Sequence, residues 1–269
     1  MQLTDLIQNR RSVRTYREEP IPRDLLNTLM AYAQTIENPY GEPVSFRLLP
    51  GREHGLNCPV TVGTDLFAAG KIKKSPYAFE AFGYSFECFV LKALELGLGT
   101  VWLGGTMNRS AFEKAMELAP EEIMPCATPL GFIADKPSLR DSVMRKSIKA
   151  DDRLPFQELF FRCDWTSPLT SDAAGDLKLP LSMVRLAPSA VNRQPWRVLV
   201  KDGAVHFYLK RTKGFNPGAV DMQKIDLGIA LCHFDLVQKD LSLGFVFSRN
   251  DPGIPGEGLE YIASFVPQK

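Results

Sequence analysis

The chain has 269 residues, 45% of them apolar, with a formal net charge of +1 and a pI near 7.6; that length suffices for one large core or two smaller ones. The near-neutral balance gives no overall field to draw in nucleic acid or an anionic membrane. Five scattered cysteines without a CxxC pair, an opening MQLTDLIQNRRSVRTY without an apolar signal stretch, and no run of membrane-spanning length set the expectation of a cytoplasmic protein with reduced thiols.

In chain order, a short helix is expected over Thr4 to Arg10, with Thr4 as N-cap and Leu3, Leu6 and Ile7 on one face. After the Pro20-Ile21-Pro22 break, Asp24 caps a second helix through Leu25, Leu26, Leu29 and Met30. Strands are expected over Ser45 to Leu49 and Pro59 to Thr64. Tyr77 to Leu96 reads as a long helix, apolar around its girth through Phe82, Phe86, Phe89, Val90, Ala93 and Leu94, and so buried. Gly97-Leu98-Gly99 ends it; a strand over Thr100 to Leu103, a helix capped by Ser110 and a strand over Thr128 to Ile133 follow. In the second half come a helix over Leu177 to Leu186 and strands over Arg197 to Lys201 and Val205 to Leu209, joined at Asp202-Gly203 by a hairpin turn. A helix over Asp226 to Leu241 and strands over Phe245 to Ser248 and Leu259 to Val266 complete the order.

The second half repeats the first. GYSFECFVLKALELGLG from Gly83 aligns with GIALCHFDLVQKDLSLG from Gly228 at an offset of 145, with Phe89 on Phe234, Leu91 on Leu236 and Gly99 on Gly244. EPVSFRLLP lies on QPWRVLVKD with Pro43 on Pro195, an offset of 152, so the second copy has a deletion of seven residues between these blocks. Any two amphipathic α/β segments align to some degree, so the pattern alone leaves chance similarity open. A boundary is expected near residue 152, with copies over 1–152 and 153–269.

Two stretches carry chemistry. Arg10-Arg11-Ser12-Val13-Arg14 groups three guanidiniums and a hydroxyl; guanidinium forks pair bidentately with phosphate oxygens, although a basic run alone is more often a solvated face. Ala187-Pro188-Ser189-Ala190-Val191-Asn192-Arg193-Gln194-Pro195-Trp196 is a proline-fixed loop with donors and acceptors. It suits the edge of a flat heterocycle, or a loop that satisfies its own backbone. Cys232-His233 is an adjacent pair inside a helix, pointing to different faces, and reads as buried packing rather than a ligand pair. Lys71, Lys73 and Lys74 read as a solvated loop, and Trp102 and Trp196 as core.

RRSVRTY followed by PIP and a helix resembles the opening of the nitroreductase family, and APSAVNRQPWRV resembles its second signature. GLGTVWLGG, residues 97–105, resembles a third; Trp102 at the last glycine position removes it from the dinucleotide-binding GxGxxG pattern. The resemblance implies an α+β nitroreductase-like fold in two tandem copies packed as an intramolecular pseudo-dimer, with mixed or antiparallel sheets flanked by helices. It implies FMN held at its phosphate by Arg10, Ser12 and Arg14, with Arg11 assisting. Pro188, Ser189, Ala190 and Asn192 then lie against the isoalloxazine, Leu103, Gly104 and Gly105 approach flavin N5, and Arg153 is a further phosphate contact. Gln194 is expected to fix its own loop. The implied activity is hydride transfer from NAD(P)H through FMN to a nitroaromatic, quinone or similar small-molecule acceptor, by a functional monomer; a flavin binder without turnover is the alternative. No catalytic acid or base and no metal is expected.

The copies also differ in a telling way. Copy one reads Ile36-Glu37-Asn38-Pro39-Tyr40 in place of PSAVN, and copy two reads Arg162-Cys163-Asp164-Trp165-Thr166 under RRSVR, with Asp164 in place of Ser12. A carboxylate repels a phosphate dianion. One intact site and one ruined site are therefore expected.

Overall fold

The computed structural model describes residues 1–215 and 218–268. Two compact units divide the chain, one formed by Met1 and residues 9–150, the other by residues 2–8 and 151–269; the short first helix, α1 (Leu3–Asn9), thus belongs almost wholly to the second.

Unit one contains α2 (Arg23–Ala33), β1 (Ser45–Pro50), α3 (Gly51–His54), β2 (Leu66–Lys73), α4 (Ala78–Glu95), β3 (Leu98–Gly99), α5 (Arg109–Ala115), β4 (Glu122–Ile123), β5 (Ala127–Phe132) and α6 (Leu139–Ser147). Its antiparallel sheet runs β1-β2-β5-β3, with β4 pairing β2. Strand side chains alternate between faces, and β2 buries both: Phe67 and Ala69 enter a cluster with Leu49, Leu103, Phe112 and Met124, while Ala68 joins Leu29, Phe89, Leu98 and Leu130. Helix α4 is buried at nearly every position from Ala78 to Ala93. Phe82, Phe86 and Phe89 stack in series along it, and Phe46 of β1 lies 4.9 Å from Phe89. Gly70 lets the helix come this close, because a Cβ there would stand 2.9 Å from the Phe82 ring.

Unit two contains α7 (Phe156–Leu159), β6 (Phe160–Arg162), α8 (Lys178–Arg185), β7 (Trp196–Lys201), β8 (Ala204–Lys210), α9 (Met222–Asp240), β9 (Phe245–Ser248) and β10 (Leu259–Pro267). The order β7-β8-β10-β9 reproduces β1-β2-β5-β3 strand for strand, and in each unit the long helix leads from the second strand of that order to the last, α4 from β2 to β3 and α9 from β8 to β9. The tandem copies inferred from the sequence are therefore present in the topology. Copy two differs by an added parallel edge strand, β6 on β7. Phe207, Phe234 and Phe265 form its ring cluster, with centroids 4.8–6.0 Å apart. Asp202 and Gly203, at φ of 51° and 77°, make the expected two-residue hairpin.

The net seven-residue deletion resolves into two opposite changes: residues 51–65 connect β1 to β2 where residues 202–203 suffice for β7 to β8, and the later connection to the long helix is longer in copy two. Several expectations are corrected. Residues 59–64 form no strand and contribute a single bridge, Thr15 with Val62; the strand begins at Leu66. The expected strand over Thr100 to Leu103 is only two bridges beyond β3, Ser12 with Thr100 and Leu103 with Ala127. Pro22, Asn108 and Asp221 are the N-caps of α2, α5 and α9, in place of the cap at Asp24, the cap at Ser110 and a start at Asp226; Thr4 lies inside α1.

Candidate functional site

In unit one the four residues of the basic cluster take different environments. Val13 N–H donates to Thr100 O at 2.8 Å, fixing the segment beside the turn after α4. Arg10 is buried, its Nε 3.7 Å from the buried Glu87 carboxylate. Burial pulls its guanidinium below the ordinary value, with Glu87 opposing and Arg145 adding to the shift. Arg14 is buried too, and its Nη1 donates to Asp141 Oδ1 at 3.2 Å. Arg11 is exposed and Ser12 half-buried. Both line a cavity of about 150 Å³ with Val13, Thr15, Asp135 and Arg145. Arg145 comes from α6 and donates to Ser12 O at 3.3 Å.

The turn at residues 103–105 is held from two sides. Leu103 exchanges backbone hydrogen bonds with Ala127 at 2.8 and 3.1 Å. Arg109 of α5 donates to Gly104 O at 2.7 Å, and to Met124 O and Pro125 O at 2.6 and 3.0 Å. A Cβ at Gly105 would meet nothing within 4 Å, so the backbone there is open to an approaching molecule. Just before the turn, Trp102 donates its indole N–H to Glu87 Oε2 at 3.1 Å and packs against Phe86. Glu87 thus ties Arg10 to the root of the glycine turn.

In unit two the 187–196 loop is strained. Val191, Asn192 and Gln194 stand at φ of 44°, 58° and 50°, left-handed conformations in which a β-branched residue is an outlier. Side chains hold it there. Gln194 N–H donates to Ser189 Oγ at 2.9 Å, and Gln194 Oε1 accepts from Leu154 N–H at 2.9 Å, so Gln194 fixes its own loop as expected. Asn192 Nδ2 donates to Asp152 O at 2.9 Å, and Arg153 donates to Asp152 O, Asn192 Oδ1 and Leu186 O. Arg153, the further phosphate contact that the resemblance implies, braces this loop with its hydrogen bonds, while Arg11 and Arg145 are the basic residues lining the cavity of unit one. Ala190 N–H donates to Asp226 Oδ1 at 2.9 Å. Pro188, Ser189 and Ala190 are half-buried.

The counterparts in the other copies are closed upon themselves. Asp164, aligned with Ser12, accepts both the N–H and the hydroxyl of Thr166 at 2.8 and 2.7 Å. Those bonds, the hydroxyl's first, lower its carboxyl below the usual range. Asn38 in copy one donates to Glu42 O at 2.6 Å and to Ser85 Oγ at 3.0 Å.

A family described as "Putative TM nitroreductase" matches residues 2–238. The chain belongs to this nitroreductase family. No curated protein matches it. Among solved structures, a Thermotoga maritima protein described as a "putative nitroreductase" shares 18% identity at a TM-score of 0.65, covering 99% of this chain and 94% of its own. That likeness extends the shared fold over both copies. A nitroreductase family protein of Clostridium novyi matches 53% of this chain and 91% of its own, at 18% identity and a TM-score of 0.45. An FMN-dependent nitroreductase of Clostridium difficile matches 51% and 92%, at 17% identity and 0.43.

The remaining residues of this family member fall into packing roles. Cys232 and His233 are fully buried, with His233 Nδ1 2.9 Å from Met183 O, and no metal-binding group of side chains occurs among the described residues. Lys71 pairs with Glu122 at 2.7 Å and Lys74 donates to Pro120 O. Trp196 is fully buried. No helix among the described residues is long and apolar enough to cross a membrane.

Proposed function

We propose that the chain binds FMN and acts as an NAD(P)H-dependent oxidoreductase on a nitroaromatic, quinone or similar small acceptor. The observation that carries this reading is the cavity of unit one, lined by Arg11, Ser12 and Arg145, while the aligned place in copy two holds the exposed carboxylate Asp164, bonded to Thr166. Arg11 and Arg145 supply the guanidinium forks that suit a phosphate and Ser12 a short donor. Arg10 and Arg14, each facing a buried carboxylate, set the backbone and the local field behind them. Gly104 and Gly105 offer backbone donors on the open turn, which Leu103 anchors through its paired hydrogen bonds to Ala127, and Pro188, Ser189, Ala190 and Asn192 form a loop already held in one strained shape. Bound FMN would supply the hydride chemistry, accepting a hydride from the nicotinamide and passing it on. The protein's own part is to hold the phosphate, orient the ring and place N–H donors, so no side chain is assigned as acid or base. Membership of a nitroreductase family supports the activity, and five cysteines, none joined in a disulfide among the described residues, support a reducing, cytoplasmic setting.

The test is spectroscopic. Purified protein is expected to be yellow, and its flavin absorbance to bleach anaerobically with NADH or NADPH and return on addition of a quinone or nitroaromatic. Yellow protein that never bleaches would leave a binder without turnover, and colourless protein that takes up no added FMN would overturn the flavin reading. The chain is also expected to elute as a monomer on size exclusion; an obligate dimer would contradict the single-chain assembly.

A further inference from the structure

Helix α9 passes beneath the strained loop with a carboxylic acid that the flavin reading leaves unused. Asp226 is 2% exposed. Its Oδ1 accepts the Ala190 N–H at 2.9 Å, and its Oδ2, fully enclosed, meets no hydrogen-bond partner among the described residues. A buried polar atom left unsatisfied costs about 1–3 kcal/mol, so each one in a native fold calls for an explanation. The loop just above holds Val191, Asn192 and Gln194 in left-handed conformations, and Ala190 is the residue that leads into this turn. The copies supply a second, independent argument. At the offset that matches α4 to α9, Asp226 falls on Ala81, which is fully buried. Copy one, which lacks the PSAVN loop, lacks the acid as well.

We propose that Asp226 is a positioning residue for the ligand of the 188–192 loop: Oδ1 fixes Ala190, and Oδ2 is kept for an acceptor atom on the polar edge of a planar heterocycle. This rests on the flavin reading and deepens it. For Oδ2 to donate, the acid must be neutral. Burial pushes its carboxyl well above the usual carboxylate range, Ala190 N–H opposes this, and Asp221 adds to it from the N-terminus of α9, where it is itself held by Arg211 from beyond β8.

The sign of the linkage follows from that direction. A carboxyl whose folded value is raised is stable with its proton, so its cost is absent below the unfolded value of about 3.9 and grows as pH rises toward the folded value. Asp226→Asn keeps an acceptor and a permanent donor, and Asp226→Leu keeps neither. The Asn variant is expected to melt above wild type near pH 8, with the difference vanishing near pH 4. FMN binding to wild type is expected to weaken as pH rises; the Asn variant should bind within about threefold of wild type's best affinity with a flat profile, and the Leu variant about tenfold or more weaker. Hydrogen exchange of residues 189–194 in ligand-free protein gives a readout that needs no FMN, and should quicken in the Leu variant but not in the Asn variant. Leu binding FMN as wild type does, or wild type and Asn sharing one pH profile, would overturn the proposal. If wild type takes up no FMN, the flavin reading fails by itself, and the exchange experiment alone decides whether Asp226 holds the loop.

Discussion

Replacing Arg145 by glutamate is expected to weaken FMN binding by about a hundredfold or more, with the fold intact. Arg145 projects from α6 into the cavity that Arg11 and Ser12 also line, and it donates to Ser12 O. A charge-assisted hydrogen bond contributes about 1.5–3 kcal/mol, and at 1.4 kcal/mol per factor of ten its loss alone is roughly a ten- to hundredfold effect. Glutamate adds repulsion, since Asp135 and Asp141 already line the same cavity. The loss should be steeper at low ionic strength, where phosphate and carboxylate are less screened. Arg153→Ala is the informative partner experiment, because the sequence offered Arg153 as the extra basic contact while its hydrogen bonds run to Asp152 O, Asn192 Oδ1 and Leu186 O. It should loosen the 188–194 loop and change FMN affinity by less than Arg145→Glu. Fluorescence titration of FMN against each variant, with circular dichroism for the fold, checks both. A larger loss for Arg153→Ala would return the phosphate contact to that residue and remove the case for Arg145.

The repeat was legible because its two long helices match at Phe89 on Phe234 and Leu91 on Leu236, and because Gly99 and Gly244 follow them at matching positions. Strand β2 was missed for the opposite reason. Leu66-Phe67-Ala68-Ala69-Gly70 is buried on both faces, so it shows no alternation, and its small residues have little strand preference. They are there because α4 packs against them: Gly70 would clash with Phe82 if it carried a Cβ. At the site, the RRSVR and PSAVN stretches could be read as chemistry, but which carboxylates Arg10 and Arg14 meet could not. They are Glu87 and Asp141, distant in sequence and met only in the fold. Arg145 and Asp226 were missed because each lies on a helix whose text carries no motif. The one signal available was negative: position 81 in copy one is alanine where copy two has an acid.

The Arg14–Asp141 pair is where structure and cofactor binding can be separated. Both side chains are buried, at 7% and 6% exposure, and removing one member of a buried pair commonly costs about 3–5 kcal/mol because the other charge is stranded. Arg14→Met is expected to destabilise unit one by that amount in urea unfolding, and Asp141→Leu to do the same. The double variant should recover most of the loss, since a buried pair replaced by apolar groups of similar volume is often near neutral. The stranded charge need not be equal in the two singles. Asp141 lies in the first turn of α6, where the helix dipole favours a carboxylate, and its own N–H is capped by Ser138 Oγ at 3.2 Å. Arg14 has no such second support from α6, so Asp141→Leu should be the more damaging single. Added FMN then discriminates between the two roles of Arg14. If Arg14 reaches the phosphate once Asp141 is gone, saturating FMN should restore stability in Asp141→Leu by more than it stabilises wild type, because a dianion replaces the missing carboxylate. If Arg14 only anchors α6 and so places Arg145, FMN affinity should fall in both singles and return in the double variant, which keeps the helix seated without the charge.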